Sequence, residues 1–140
     1  MKKNIVLISF LLLGFLFPQR ETHRWTPLVV NENQKVWYDN NQIDAISIPK
    51  FDIWLLEVHS TPLKIETIVS GVMRTKTLYT INLETMSYGI KEVVYYDINN
   101  KEIKRFQYEI EELEDKWKYS YPILDNSIVG QFIKMLSGKK

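Results

Sequence analysis

Two rhythms of hydrophobic and polar residues run along this chain. From Trp25 to Tyr121 the dominant period is two, and in the tail it lengthens to that of a helix. The clearest alternation is Thr77 to Leu83. There Tyr79, Ile81 and Leu83 share one face while Thr80 and Asn82 point away, the pattern of a half-buried strand. Trp25 to Val30 reads as a first strand, and Pro27, which has no N–H to give to a ladder, suits an edge. Lys35 to Asp39 reads as a second strand, closed by a turn at Asn40-Asn41. Ile43, Ala45, Ile46 and Ile48 suggest a short third stretch before Pro49. Phe51 to Val58 is apolar on both faces, as a central strand covered on two sides would be.

Ser60-Thr61-Pro62 is expected to break that strand, and Leu63 to Val72 reads as a connection with some order. Tyr88 to Tyr96 and Glu102 to Ile110 are expected to form a hairpin around Asp97-Ile98-Asn99-Asn100-Lys101, with Phe106, Tyr108 and Ile110 facing inward. A last strand is expected over Trp117 to Pro122, with three rings on one side. In the tail, Asp125, Asn126 and Ser127 are good N-cap residues. Ile128, Val129, Phe132, Ile133 and Leu136 then recur as one helical stripe. Gly138 can close this helix in a left-handed conformation, and Lys139 and Lys140 sit where the helix dipole favours positive charge. So short a helix does not stand alone in water, so its stripe must dock on the sheet. The expected fold is α+β: a mainly antiparallel sheet of about six strands with a C-terminal amphipathic helix packed on one face.

The start of the chain follows neither rhythm. Met1-Lys2-Lys3-Asn4 is basic, Ile5 to Phe17 is apolar apart from Ser9 and Gly14, and Pro18-Gln19-Arg20-Glu21 turns polar. That order is the order of a secretory signal peptide. The apolar run is shorter than the roughly 20 residues that span a bilayer. Residues 1–19 are therefore read as a signal peptide cleaved near Gln19, and 20–140 as a single domain with no membrane span. The protein is expected to be exported, to the periplasm or to the cell surface and beyond.

Composition narrows the function. With 140 residues, 45% of them hydrophobic, there is one domain with enough apolar material for a core. Setting aside Lys2 and Lys3 leaves basic and acidic residues nearly matched, and no basic stripe of a nucleic-acid binder stands out. Cysteine is absent, which removes disulfides, thiol chemistry and attachment of lipid to a terminal cysteine.

Candidate chemistry is sparse. His23 and His59 are the only histidines and lie far apart in the chain, short of the three or four ligands a zinc site needs. No nucleophile elbow, phosphate loop or dinucleotide glycine pattern is present. Glu109, Glu111, Glu112, Glu114 and Asp115 form an acidic cluster that could supply calcium ligands or a glycosidase carboxylate pair. No glycine bends the chain there, and a solvated loop is the expectation. The aromatic residues are expected to be mostly core, with exceptions on the sheet face away from the helix. No catalytic, cofactor-binding or metal-ligating residues are assigned, and no cofactor.

Several short pieces, in order, resemble the surface-adhesin protein E family of bacterial exported proteins. They are Trp25, Val36-Trp37-Tyr38-Asp39 with Ile43, Phe51-Asp52-Ile53-Trp54, the stretch from Leu83 to Tyr95-Tyr96-Asp97, and Trp117 through Pro122 to Ser127 and the helix. The resemblance implies an antiparallel sheet with a C-terminal helix on one face. It also implies adhesin-like binding to matrix proteins such as vitronectin and laminin, and pairing with a second copy. Family members commonly carry cysteines at positions matching about Leu83 and Ser137, where a disulfide clamps helix to sheet, and neither is present here. Burying Leu83 would contribute about 2 kcal/mol, against about 2–4 kcal/mol for a disulfide.

The expectation that follows is an exported, non-enzymatic protein-interaction domain, with an unidentified protein partner and a homodimer among its assemblies. The alternative is a periplasmic small-ligand-binding module whose sheet and helix enclose a pocket. An enzyme would have to use the acidic cluster with His59 or Tyr108.

Overall fold

The computed structural model describes residues 22–138, so the expected signal peptide and Lys139 and Lys140 lie outside the described residues. The domain is a seven-stranded antiparallel sheet with a C-terminal helix. Six strands follow one another as a meander: β1 (Trp25–Val30), β2 (Lys35–Asp39), β3 (Lys50–Ile65), β4 (Ile68–Asn82), β5 (Ser87–Tyr96) and β6 (Glu102–Gln107). A short helix α1 (Asp115–Lys118) leads to β7 (Tyr121–Pro122), which pairs with the start of β5. The final helix is α2 (Ile128–Gly138).

The pleat sorts side chains onto two faces. Tyr38, Phe51, Ile53, Leu55, Tyr79 and Ile81 point to one side and pack with Val129 and Phe132 of α2. Phe132 and Ile53 are fully buried, and the Phe132 ring lies 5.7 Å from Tyr38 and 6.4 Å from Phe51, centroid to centroid. Leu28, Leu83 and Ile123 extend this cluster. The helix starts where its cap dictates: Ser127 Oγ accepts from the Gly130 N–H at 3.1 Å and donates to the Leu124 carbonyl at 2.7 Å. Gly130 has to be glycine, since a Cβ would sit 2.0 Å from the Leu124 oxygen.

The expected fold class and the docked helix are as observed, and β1 lies at the sheet edge as Pro27 suggested. Other elements differ. Ile43 to Ile48 is not a strand: Asn40–Ala45 forms a 3-10 helix whose N–H at Asn41 is capped by Asp39 at 3.0 Å. Ile43 and Ile46 still reach the core from it. Ser60-Thr61-Pro62 does not end β3, because irregular register between Val58 and Leu63 absorbs the proline. Leu63 to Val72 is then no connection but the tip of a long β3–β4 hairpin. β6 stops at Gln107, and Tyr108 is exposed where it was expected inward. Trp117 lies on α1 and is exposed, so the three rings of 117–121 do not share a strand face. Gly138 ends α2 without a positive φ, so the expected left-handed closure is absent.

Thr80 and Asn82 were expected to face solvent, yet they are 3% and 1% exposed. A loop covers Thr80. After β6 the chain crosses the sheet face away from α2, and returns at β7. The crossing is close: a Cβ on Gly89 would meet the Lys118 carbonyl oxygen at 1.9 Å and Thr80 Cγ2 at 3.2 Å. Only glycine lets the loop settle there.

Truncating Phe132 to alanine should cost about 3–5 kcal/mol by removing a fully buried ring, whereas Ser127→Ala should cost about 1 kcal/mol. Urea unfolding of the two variants against the parent measures both, and a loss below about 1 kcal/mol for Phe132→Ala would mean that α2 does not close the core.

Candidate functional site

The face away from α2 is covered at one end and open at the other. At the covered end the loop is tied down by charge. Lys91 sits in a bulge of β5, where Leu78 pairs with Glu92 and Tyr79 with Ile90, leaving Lys91 the extra residue. Its ammonium lies 2.6 Å from Asp52 and also pairs with Glu111. Lys118 reaches the other Glu111 oxygen at 2.9 Å, and Lys50 reaches Asp115 at 2.7 Å. Hydrogen bonds from Lys91, and then Lys118, pull the Glu111 carboxyl from its ordinary 4.5 to about 2. Burial works against the charge on Lys91, but its bonds to Asp52 and Glu111 outweigh this and raise its pKa. The acidic cluster is the solvent-exposed loop that was expected. Two of its members, Glu111 and Asp115, in addition fasten the loop to Lys91 and Lys50 of the sheet.

At the open end lies a cleft of about 650 Å³. Trp25 of β1, Lys35 and Trp37 of β2, Leu56 and Val58 of β3, Arg74 and Lys76 of β4, Tyr96 of β5, and His23 and Asn100 beyond the strands line it. Register explains the assembly. Leu56 pairs with both Trp37 and Lys76, and Arg74 pairs with both Val58 and Tyr96. Side chains directly opposite in neighbouring strands share a face, so these residues form one lining.

Beneath the cleft is a buried polar chain. Asp39, 3% exposed, accepts the backbone N–H of Arg24 and of Asn41 and lies 2.8 Å from Nδ1 of His23. Nε2 of the same ring is 3.1 Å from Nζ of Lys76, which is 5% exposed. A carboxylate only accepts and an ammonium only donates, so the tautomer protonated on Nδ1 is the one that satisfies both contacts. The ring is wedged between Trp25, at 4.9 Å, and Trp54, at 5.5 Å. The Lys76 ammonium also lies 4.6 Å over the Trp54 ring. Arg74 is steadied by the Asn100 side-chain oxygen at 2.8 Å. Among the described residues no Asp or Glu lines the cleft.

His23 is thereby placed in the cleft, while His59 is not. His59 turns toward Thr75, at 2.8 Å, and Glu57, at 3.5 Å, which alternate with the cleft residues Lys76 and Leu56. The acidic cluster, His59 and Tyr108 have separate partners and form no common site. Among the described residues no group of three or more His, Cys, Asp or Glu side chains is placed to hold a metal ion. Nor is any helix there long and apolar enough to cross a membrane. The cleft lies on the far side of the sheet from the helix, not between the two.

Lys35, Arg74 and Lys76 were not singled out from the sequence. The signal that could have found them is the alternation of Thr77–Leu83 extended backward. Carried one step further, it puts Arg74, Lys76 and Leu78 on one face.

Comparison of the chain with models of protein families, with curated proteins and with solved structures finds no match in any of the three.

The Glu111 ties give stability a pH dependence. A carboxyl held below its ordinary value contributes fully above about pH 4.5, and the contribution is lost as pH falls toward about 2. Because Glu111 is largely exposed, solvent screening leaves about 0.5–1 kcal/mol. Glu111→Gln should show that deficit in unfolding experiments at pH 7 and none near pH 2. An equal deficit at both would mean that the charge is not what holds the loop.

Proposed function

We propose that the chain is a non-enzymatic binding domain that takes a small ligand in the cleft on the open sheet face. One observation carries this reading: a ligand-sized concavity lined by rings and aliphatic side chains with a few fixed polar groups, the usual makeup of a binding pocket. Its floor is rigid sheet, and its polar groups are held by hydrogen bonds within the protein, so the site is formed before anything enters. The basic, apolar, polar order of residues 1–19 supports export, which would put the binding event in the periplasm or outside the cell.

A second reading, contact with a protein partner, draws on exposed rings elsewhere. Tyr108, Trp117 and Tyr121 are each about half exposed or more, and Tyr121 stacks on Tyr88 at 5.4 Å. Such rings suit interface anchors. Kinship with the surface-adhesin protein E family would favour this use, including pairing of two copies. The cleft reading stands first because its groups converge on one concavity.

Small aromatic fragments added to isotope-labelled protein should shift the amide signals of Trp37, Leu56, Val58 and Lys76. Trp37→Ala should weaken the fragments that bind by roughly tenfold or more, as loss of a pocket ring does. Shifts confined to Trp117 and Tyr121 would instead favour the protein-contact surface.

A further inference from the structure

The balance of donors and acceptors in the cleft says which ligand it suits. Resting on the binding reading above, we propose that the cleft receives a short proline-rich segment of a partner protein in the polyproline II conformation. Proline rings lie against Trp25 and Trp37, and peptide carbonyls accept from Lys35 and Arg74. This chain has five prolines and no two are adjacent, so the segment belongs to another protein.

Donors outnumber acceptors in this lining. Lysine, arginine and tryptophan side chains only donate, and Lys35, Arg74, Trp25 and Trp37 all stand here, with no Asp or Glu among the described lining residues. The Asn100 oxygen is taken by Arg74 at 2.8 Å, which leaves the Asn100 NH2 and the remaining N–H groups of the guanidinium as donors. His23 and Lys76 are engaged with each other, with Asp39 and with Trp54, and neither is needed to hold a ligand. A ligand that fits offers acceptors and few donors. Ordinary peptides carry one N–H for each carbonyl, and sugar hydroxyls donate as readily as they accept. Proline keeps the carbonyl and has no N–H. A polyproline II segment makes no internal hydrogen bonds, so each of its carbonyls is open to a partner.

Shape agrees with this assignment. The cleft is open rather than closed over, so a chain can pass through it with both ends in water. Trp25 pairs with Asp39 and Trp37 with Pro27, which sets the two indoles diagonally on the same face, about 7 Å apart. Rings two or three residues apart on a polyproline II helix are separated by about 6–9 Å. From Trp25 on β1 to Tyr96 on β5 the cleft crosses five adjacent strands, about 19 Å at the usual strand spacing. About six residues of polyproline II cover that length. Leu56 and Val58 supply an apolar floor between the two ends. Floor and peptide are both stiff beforehand, so little freedom is lost when they meet.

Titration of isotope-labelled protein with octaproline, acetylated and amidated at its ends, tests the inference. The expected result is saturable shifts of the Trp37, Leu56, Val58 and Arg74 amide signals. Octaproline should bind at least tenfold tighter than a capped Gly-Ser octapeptide or cellohexaose. Trp25→Ala and Trp37→Ala should each weaken octaproline roughly tenfold, as loss of an anchoring ring does. Arg74→Gln should weaken it several-fold, and this rim variant keeps the test valid if a ring variant does not fold. Equal or tighter binding of the Gly-Ser peptide overturns the proline inference, and tighter binding of cellohexaose overturns it in favour of a sugar chain. Silence with octaproline while small aromatic fragments still shift the cleft signals overturns the peptide inference and leaves the cleft reading standing. Silence with both overturns both.

Discussion

Packing of Phe132 and Val129 against the inner face of the sheet is what the rest of the structure depends on. That face presents Tyr38, Ile53, Leu55, Tyr79 and Ile81, and uncovered it would be a broad apolar surface in water. No disulfide joins helix to sheet, because the chain has no cysteine. Leu83 and Ser137, where the family resemblance would put a clamp, behave as ordinary residues. Leu83 packs on the core, and Ser137 is exposed with its hydroxyl bonded to the Ile133 carbonyl at 3.0 Å. Closure is therefore non-covalent throughout, and fitted side chains together with the Ser127 cap set the helix in place.

With one face sealed by the helix, the other is free for use. The loop after β6 covers part of it, its Glu111 paired with Lys91 of β5 and with Lys118. This division has a geometric origin. β5 lends its second half to β6 and its first residues to β7, so the chain between them must cross the sheet near the Lys91 bulge. Had β6 run the full length of β5, no loop would lie over Asp52 and Thr80. The cleft is the part of that face that the crossing leaves bare.

Strands with strong alternation were legible in the sequence, and so was the tail helix, because each buries one side and exposes the other. Lys35–Asp39 and Ser87–Tyr96 are found almost where their patterns end. Legibility failed where burial did not follow a single period. Thr80 looks solvent-facing because it is polar, but a loop distant in sequence lies over it. Ile43 and Ile46 look like strand residues because both are apolar, yet a 3-10 helix delivers them to the same core. The cleft was the least legible part. Its residues come from five strands and two flanking segments, and each looks ordinary until the register brings them together. Only the expectation that exposed rings would lie away from the helix anticipated its location.

Order along the chain has its own consequence. Every β-strand precedes α2, so a chain made from its amino end presents a sheet that lacks its lid. Until residues 128–138 arrive, the apolar surface stays bare and the strands are held only by local hairpins, which are weak in isolation. Closure of the core is thus a late event in the order of the chain, a timing set by topology.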